Sequence, residues 1–292
     1  MTDKPRTHLG DTPVFPIGLG TMPLSVPGRP DEQQAIRTIH AALGAGVNLL
    51  DTADAYSDGE HDVGAGERLI ARALRDVPAA DQPLVATKGG HTRPGDRWEL
   101  DGRPEYLRAA CEASLRALEV DAIDLYQLHR PDPATPFAES VGALRDLRDE
   151  GKIRLVGLSN VTVAQLAEAE AIVEIGAIQN ELSLSYTYPI GKGEVAACEE
   201  RGIAFLAWSP LGGASAAGEV GAGAVGRVAS EHGVSPQRVA LAWLLSLSPA
   251  VVPIPGSRRP ETILDSVAAA ELELRAEELE AIGREVGVTP AR

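Results

Sequence analysis

Four side chains that together can move a proton stand at or just past the ends of three short apolar runs. Asp51 and Tyr56 follow residues 47–50, Lys88 follows 84–87, and His129 follows 123–128. A phenol has a reference pKa of about 10, too high for ready proton exchange at neutral pH. A neighbouring ammonium favours the phenolate and lowers that value. A carboxylate paired with the ammonium keeps it charged and in place. A neutral imidazole beside the phenol can hydrogen-bond a carbonyl oxygen, and a nearby positive lysine discourages its protonation. Such a group could polarise a carbonyl and protonate the oxyanion, which is general acid catalysis.

Each residue has an ordinary explanation when taken alone. Lys88 could be a solvated charge at a strand end. Asp51 before Thr52 could begin a turn. His129 could be a satisfied core histidine, and Tyr56 could be wall packing. Four such coincidences at one face are a poor account of the pattern.

The elements that would have to position these residues can be read from the same chain. Eight apolar runs read as buried strands, at 17–19, 47–50, 84–87, 123–128, 154–158, 177–179, 204–207 and 251–254. Between them lie segments with helical spacing, at 32–43, 67–74, 104–118, 137–147, 162–173 and 194–200. Pro104, Pro236 and Pro260 sit where a first helical turn would begin. Thr162 is placed to cap its helix. Gly44, Gly46, Gly151 and Gly202 fall between helix and strand, where a left-handed C-cap is wanted. Strands alternating with helices imply parallel pairing.

Eight such units predict an α/β chain, a closed (β/α)8 TIM barrel forming one domain over residues 1–292. The competing open, doubly wound sheet has no Gly-x-Gly-x-x-Gly after a strand to support it. Three segments fall outside the alternation. Residues 7–14, with a Gly10-Asp11 turn, read as a hairpin closing the barrel bottom. Residues 212–226, rich in Gly and Ala, read as a mobile loop, and 275–283 as an additional terminal helix.

Composition narrows the function classes. The 292-residue chain is 44% hydrophobic and 24% charged, which is ordinary for a soluble globular protein. Its net charge of -15 opposes nucleic-acid binding. No apolar run approaches the roughly 20 residues that span a bilayer, so no membrane role is expected. The first ten residues lack an apolar signal core, which points to the cytoplasm. Cys111 and Cys198 are expected to be reduced, half-buried thiols.

In a parallel barrel the active site is built at the carboxyl ends of the strands. Here those exits carry Gly20-Thr21-Met22, Asp51, Lys88, His129, Ser159-Asn160, Gln179-Asn180 and Trp208-Ser209. The eighth carries Pro255-Gly256-Ser257-Arg258-Arg259. Nearly every exit delivers a polar or titratable group to one mouth.

With these exits in order, the chain resembles the aldo-keto reductase family. The matching strings are Gly18-Leu19-Gly20-Thr21-Met22, Leu50 to Tyr56, Ala86-Thr87-Lys88, Asp121 to His129, and Gly157-Leu158-Ser159-Asn160. Ile178-Gln179-Asn180, Trp208-Ser209-Pro210-Leu211 and Ile254-Pro255-Gly256-Ser257 complete the series. The resemblance implies an NAD(P)H-dependent carbonyl reductase acting on a small-molecule substrate, with no metal. It maps a catalytic tetrad onto Asp51, Tyr56, Lys88 and His129, with Tyr56 as proton donor. Hydride would pass from the nicotinamide to the carbonyl carbon.

By the same mapping Ser159, Asn160 and Gln179 hold the carboxamide, and Trp208 stacks on the nicotinamide. Ser209, Pro210, Leu211, Gly212 and Gly213 run along the pyrophosphate. Gly20, Thr21, Met22, Asp51, Pro255 and Gly256 also line the cofactor. Ser257, Arg258 and Arg259 open the last barrel helix, where amides, helix dipole and forked guanidinium groups favour a 2′-phosphate. NADPH is therefore expected over NADH, with NADH as the alternative. Many relatives have a basic residue at Gly256, an arginine at Thr262, and Glu-Asn where this chain has Asp265-Ser266.

Met22, Tyr56, Trp98 and His129 are expected to wall the substrate pocket. Its carbonyl compound stays open among aldehydes, dicarbonyls, sugars, pyridoxal and polyketide-like ketones. Two other readings remain at this stage. One is a cofactor-sensing regulatory subunit with little turnover. The other is a barrel isomerase or lyase using Lys88 as a Schiff base. Lys88→Met is expected to cause a large loss of turnover with the fold intact.

Overall fold

The computed structural model describes residues 7–95, 97–213 and 220–288. Its main sheet has eight parallel strands: Leu19–Gly20, Leu49–Asp51, Leu84–Gly89, Ile123–Leu128, Ile153–Ser159, Ile175–Glu181, Ala204–Trp208 and Val251–Pro253. They are called the first to eighth barrel strands below. Neighbours in sequence are neighbours in space, as helical crossovers between parallel strands require. The sheet closes on itself. Gly18 N–H donates to Pro253 O at 2.9 Å and Gly20 N–H to Pro255 O at 3.1 Å. Gly20 and Gly256 form the parallel bridge at this seam. This is the (β/α)8 barrel the strand count predicts.

The strands are apolar on both faces because both faces are covered. Leu49, Ala86, Leu125, Ala177, Ala204, Leu206, Val252 and Ile254 pack together inside the barrel. Leu9 and Val14 of the amino-terminal hairpin join that cluster and plug its lower end. The hairpin pairs His8 with Pro13 and Leu9 with Thr12. The alternate strand residues, such as Leu50, Val85, Tyr126, Val156, Ile178, Phe205 and Val251, face the surrounding helices.

Local chemistry sets the helix ends. Thr162 and Gln165 form a reciprocal capping box at the start of Val163–Glu170. Ser235 caps Pro236–Leu245 by accepting from Arg238 N–H at 3.0 Å. Gly46, Gly151 and Gly202 take the left-handed backbone expected of them, whereas Gly44 ends its helix without it.

Some expectations need correction. The first strand begins two residues later than residue 17. The supposed loop 212–226 becomes helical at Gly223–His232, and residues 214–219 lie outside the described residues. Beyond what is expected, the exit after the third strand pairs His91–Thr92 antiparallel to Glu99–Leu100. The terminal helix runs from Ala276 to Glu285 and docks by contacts that composition does not reveal. Its Glu285 accepts Ala224 N–H at 2.8 Å, and Leu279 O accepts the Trp243 indole N–H at 3.3 Å. Cys111 and Cys198 are free and fully buried rather than half-buried, and burial pushes both thiols up to about 12. No helix among the described residues is long and apolar enough to cross a membrane.

The seam leaves no room for side chains. A Cβ on Gly20 would lie 2.7 Å from Ile254 O, a backbone atom that cannot swing away. Gly20→Ala should therefore cost about 1–3 kcal/mol by overpacking. Gly44→Ala, with nothing within 4 Å, should be neutral or stabilising by up to about 1 kcal/mol. Denaturant melts of the two variants check the contrast.

Candidate active site

The period-two alternation that fills the barrel also builds the site. Leu49, Ala86, Leu125 and Ala177 point inward. Two residues further along each strand stand Asp51, Lys88, Gln127 and Gln179, which therefore point inward too. A polar layer thus sits directly on an apolar one. Two residues beyond Gln127, His129 continues the series at the mouth.

Inside this layer Lys88 and Asp51 form an ion pair, Nζ to Oδ1 at 2.7 Å, with both side chains out of water. Lys88 Nζ also donates to Thr52 O at 2.7 Å and reaches Tyr56 Oη at 3.4 Å. The other Asp51 oxygen, Oδ2, accepts from Gln179 Nε2 at 2.7 Å and Gln127 Nε2 at 3.3 Å. Thr21 ties down the Asp51 backbone, its N–H and hydroxyl donating to Asp51 O at 2.8 and 2.9 Å.

The protonation states follow from this geometry. Burial alone would strip the Lys88 proton, but Asp51 and Tyr56 more than offset it and the lysine is held charged. Burial is the largest influence on Tyr56 and pushes its phenol up; the Lys88 charge pulls it down by less. The ammonium thus acts in the expected direction, but burial outweighs it. Burial, then Lys88, His91 and Arg130, holds His129 well below the ordinary imidazole range. The imidazole is neutral, and its Nδ1 has no hydrogen-bond partner among the described residues. The Tyr56 and His129 rings meet edge to face, their centroids 5.6 Å apart.

The remaining expected site residues divide into groups. Ser159 and Asn160 lie together beside His129. Asn160 Nδ2 donates to His129 O at 3.0 Å and to Ser159 Oγ at 2.9 Å. Gln179 is turned down onto Asp51 instead of up to the mouth. Trp208 is half-buried above the inner cluster, and its indole N–H is buried without a partner among the described residues. Ser209 adopts a positive φ of 47°, and Gly212 N–H closes a turn onto its carbonyl at 2.8 Å, carrying Pro210, Leu211 and Gly213 past the seventh strand.

Met22 and Trp98 are exposed by 41% and 43%. Pro255 and Gly256 form the barrel seam, and Ser257 Oγ donates to Arg259 O at 2.8 Å. Arg258 and Arg259 are exposed at the start of Pro260–Val267. Asp265 is turned away from them. It accepts from Ser235 Oγ and pairs with Arg238 at 2.6 Å. Ser266 Oγ bonds its own helix at Thr262 O, 3.1 Å away.

Sequence reasoning passed over three residues. Gln127 was legible as the middle of the inward series Leu125, Gln127, His129. His91 touches the His129 ring, centroids 4.3 Å apart, and Arg93 lies under Trp98 at 4.3 Å. Neither gave a local signal, because their contacts are made across the ribbon.

Burial changes the expectation for Lys88→Met. The variant leaves the Asp51 carboxylate buried without its cation. We expect a loss of about 3–5 kcal/mol of stability, measured by denaturant unfolding, in addition to lost turnover. Stability within about 0.5 kcal/mol of wild type, the range of an ordinary surface substitution, would contradict the pairing.

Comparison with known proteins identifies the family. The aldo/keto reductase family model matches residues 16–284. A 6-dehydroglucose reductase from Novosphingobium aromaticivorans is 36% identical over 269 residues, covering 89% of this chain and 87% of that protein. The glycerol dehydrogenase of Gluconobacter oxydans superposes with a TM-score of 0.82 at 29% identity, covering 98% of this chain and 97% of that one. An aldo-keto reductase from Klebsiella pneumoniae, solved in complex with NADPH, gives 0.81 at 25% identity, covering 100% and 98%. With its barrel fold, the family model and these relatives in agreement, the chain belongs to the aldo/keto reductase family and is an oxidoreductase.

Proposed function

We propose that the protein reduces a small aldehyde or ketone to its alcohol with NADPH, and that Tyr56 donates the proton. The observation that carries this reading is the Tyr56 phenol held 3.4 Å from a buried Lys88, which is itself paired with Asp51 at 2.7 Å. A bound nicotinamide supplies hydride to the carbonyl carbon. The chain's own residues manage the charge that then appears on oxygen.

The neutral His129 imidazole offers an N–H to the carbonyl oxygen without adding a like charge beside Lys88. The phenol delivers its proton to that oxygen as negative charge grows there. The phenolate left behind faces the Lys88 ammonium, whose field stabilises it in a dry site. Asp51 prevents Lys88 from acting as the acid, since the pair keeps the lysine charged. The same pairing argues against a Schiff base at Lys88, which needs the free amine.

The residues present fit a nicotinamide nucleotide. The orphaned indole N–H of Trp208 and the amide of Asn160 flank the mouth. In this reading Ser159 and Asn160 hold the carboxamide, while Gln179 fixes Asp51. Trp208 provides the ring face, with the segment from Ser209 to Gly213 beside it. Ser257, Arg258 and Arg259 hold the 2′-phosphate at the start of a helix. Asp265 is engaged with Arg238 and Ser235, so the adenosine end rests on the arginines.

NADPH oxidation against a panel of small carbonyl compounds tests the proposal, with Tyr56→Phe in parallel. The variant should lose turnover by about 10²–10⁴-fold, the usual share of a positioned acid. It should keep its NADPH affinity. Near-wild-type rates would remove Tyr56 as donor, and negligible turnover on any carbonyl despite tight binding would favour a cofactor sensor. Equal or better efficiency with NADH would contradict the assignment of Arg258 and Arg259.

A further inference from the structure

Arg93 is the buried arginine that the chemistry so far leaves without a task. It follows the first arm of the ribbon after the third barrel strand and is 6% exposed. Among the described residues it has no carboxylate partner, and its Nε has no hydrogen-bond partner. The chain has 42 acidic residues against 27 lysines and arginines, so carboxylates are not scarce. A guanidinium buried without one is costly unless other oxygens take its place.

Those oxygens are two backbone carbonyls. Arg93 Nη1 donates to Ala55 O at 3.3 Å and to Ser57 O at 3.1 Å. The two carbonyls bracket Tyr56, which belongs to neither a strand nor a helix. Ala55 O lies on the peptide plane that enters Tyr56, and Ser57 O on the plane one residue beyond the one that leaves it, so the two bonds pin the short segment that carries Tyr56 and restrict the directions its side chain can take.

The ring above the guanidinium extends this hold. Trp98 lies over Arg93 with 4.3 Å between the guanidinium carbon and the ring centre. Trp98 meets Tyr56 at 6.4 Å and His91 at 5.5 Å; His91 meets His129 at 4.3 Å, and His129 meets Tyr56 at 5.6 Å. All four contacts are edge-to-face, so the rings form a closed circuit around the mouth. Arginine suits the base of this circuit. Its flat face stacks on an aromatic ring while its edge donates hydrogen bonds, which an ammonium cannot do together.

We infer that Arg93 is the positioning residue for the proton donor, clamping the backbone on both sides of Tyr56 and seating Trp98 against its ring. Arg93 itself touches no reacting atom. The inference rests on Tyr56 being the donor.

The test compares full-length Arg93→Lys and Arg93→Gln with wild type and Tyr56→Phe. It measures kcat and KM for one small aldehyde, the NADPH dissociation constant by fluorescence, and the far-ultraviolet circular dichroism. A misplacement of about 1 Å lowers rates by about 100-fold, so kcat should fall by about 10- to 100-fold in Arg93→Gln. KM and NADPH affinity should stay within about threefold, the spectrum should remain native, and Arg93→Lys should recover part of kcat. The inference is overturned by wild-type kcat in both variants, by NADPH affinity falling in step with kcat, or by loss of fold in both. Turnover that survives Tyr56→Phe overturns the donor assignment and this inference together. An inactive Tyr56→Phe beside fully active Arg93 variants overturns only the clamp.

Discussion

The ion pair between Lys88 and Asp51 is the constraint on which the rest of the site depends. Two charges are held out of water at the centre of a barrel, where desolvation penalises each of them. The arrangement survives because both carboxylate oxygens and the ammonium protons have hydrogen-bond partners. Thr52 O takes a second proton of the ammonium, and Gln127 and Gln179 cover the second carboxylate oxygen. Those partners come from the second, fourth and sixth strand regions, so the barrel must close before the pair is satisfied. Stability and function are thereby set by the same contacts.

The pair also decides which groups carry protons. Lys88 stays charged, and its field acts on Tyr56 and His129. On the phenol that field opposes burial, and burial prevails. The resting site therefore stores a neutral acid beside a fixed cation. In the proposed reaction the cation would act when the phenol parts with its proton, because only then is there a negative charge to stabilise. On His129 field and burial act in the same direction, and the imidazole stays a neutral hydrogen-bond donor. A proton is available at one ring and absent as charge at the other, although the two rings touch.

Much of this was legible in the chain because it is written in local alternation. A buried strand that places Leu49 inward must place Asp51 inward as well. The same holds for Ala86 with Lys88 and Leu125 with Gln127. All eight strands and the helix Pro104–Leu118 could be read for this reason. What could not be read depends on contacts distant in sequence. Gly223 to Gly226 look like loop by composition, yet Glu285 receives the Ala224 amide 61 residues away in sequence. Asp265 stands where an adenosine contact is expected, but Arg238 and Ser235 engage it from another helix. Arg93 and Trp98 become meaningful only when the ribbon folds back over the loop that carries Tyr56.

The central claim is that Tyr56 rests as a neutral phenol beside a charged lysine because burial outweighs the lysine's field. Absorbance titration of phenolate, taken as the difference between wild type and Tyr56→Phe, measures this directly. The account predicts that the Tyr56 signal is absent at neutral pH and appears only above the ordinary tyrosine range. A phenolate signal near neutral pH would mean that the ammonium dominates, and would contradict the account.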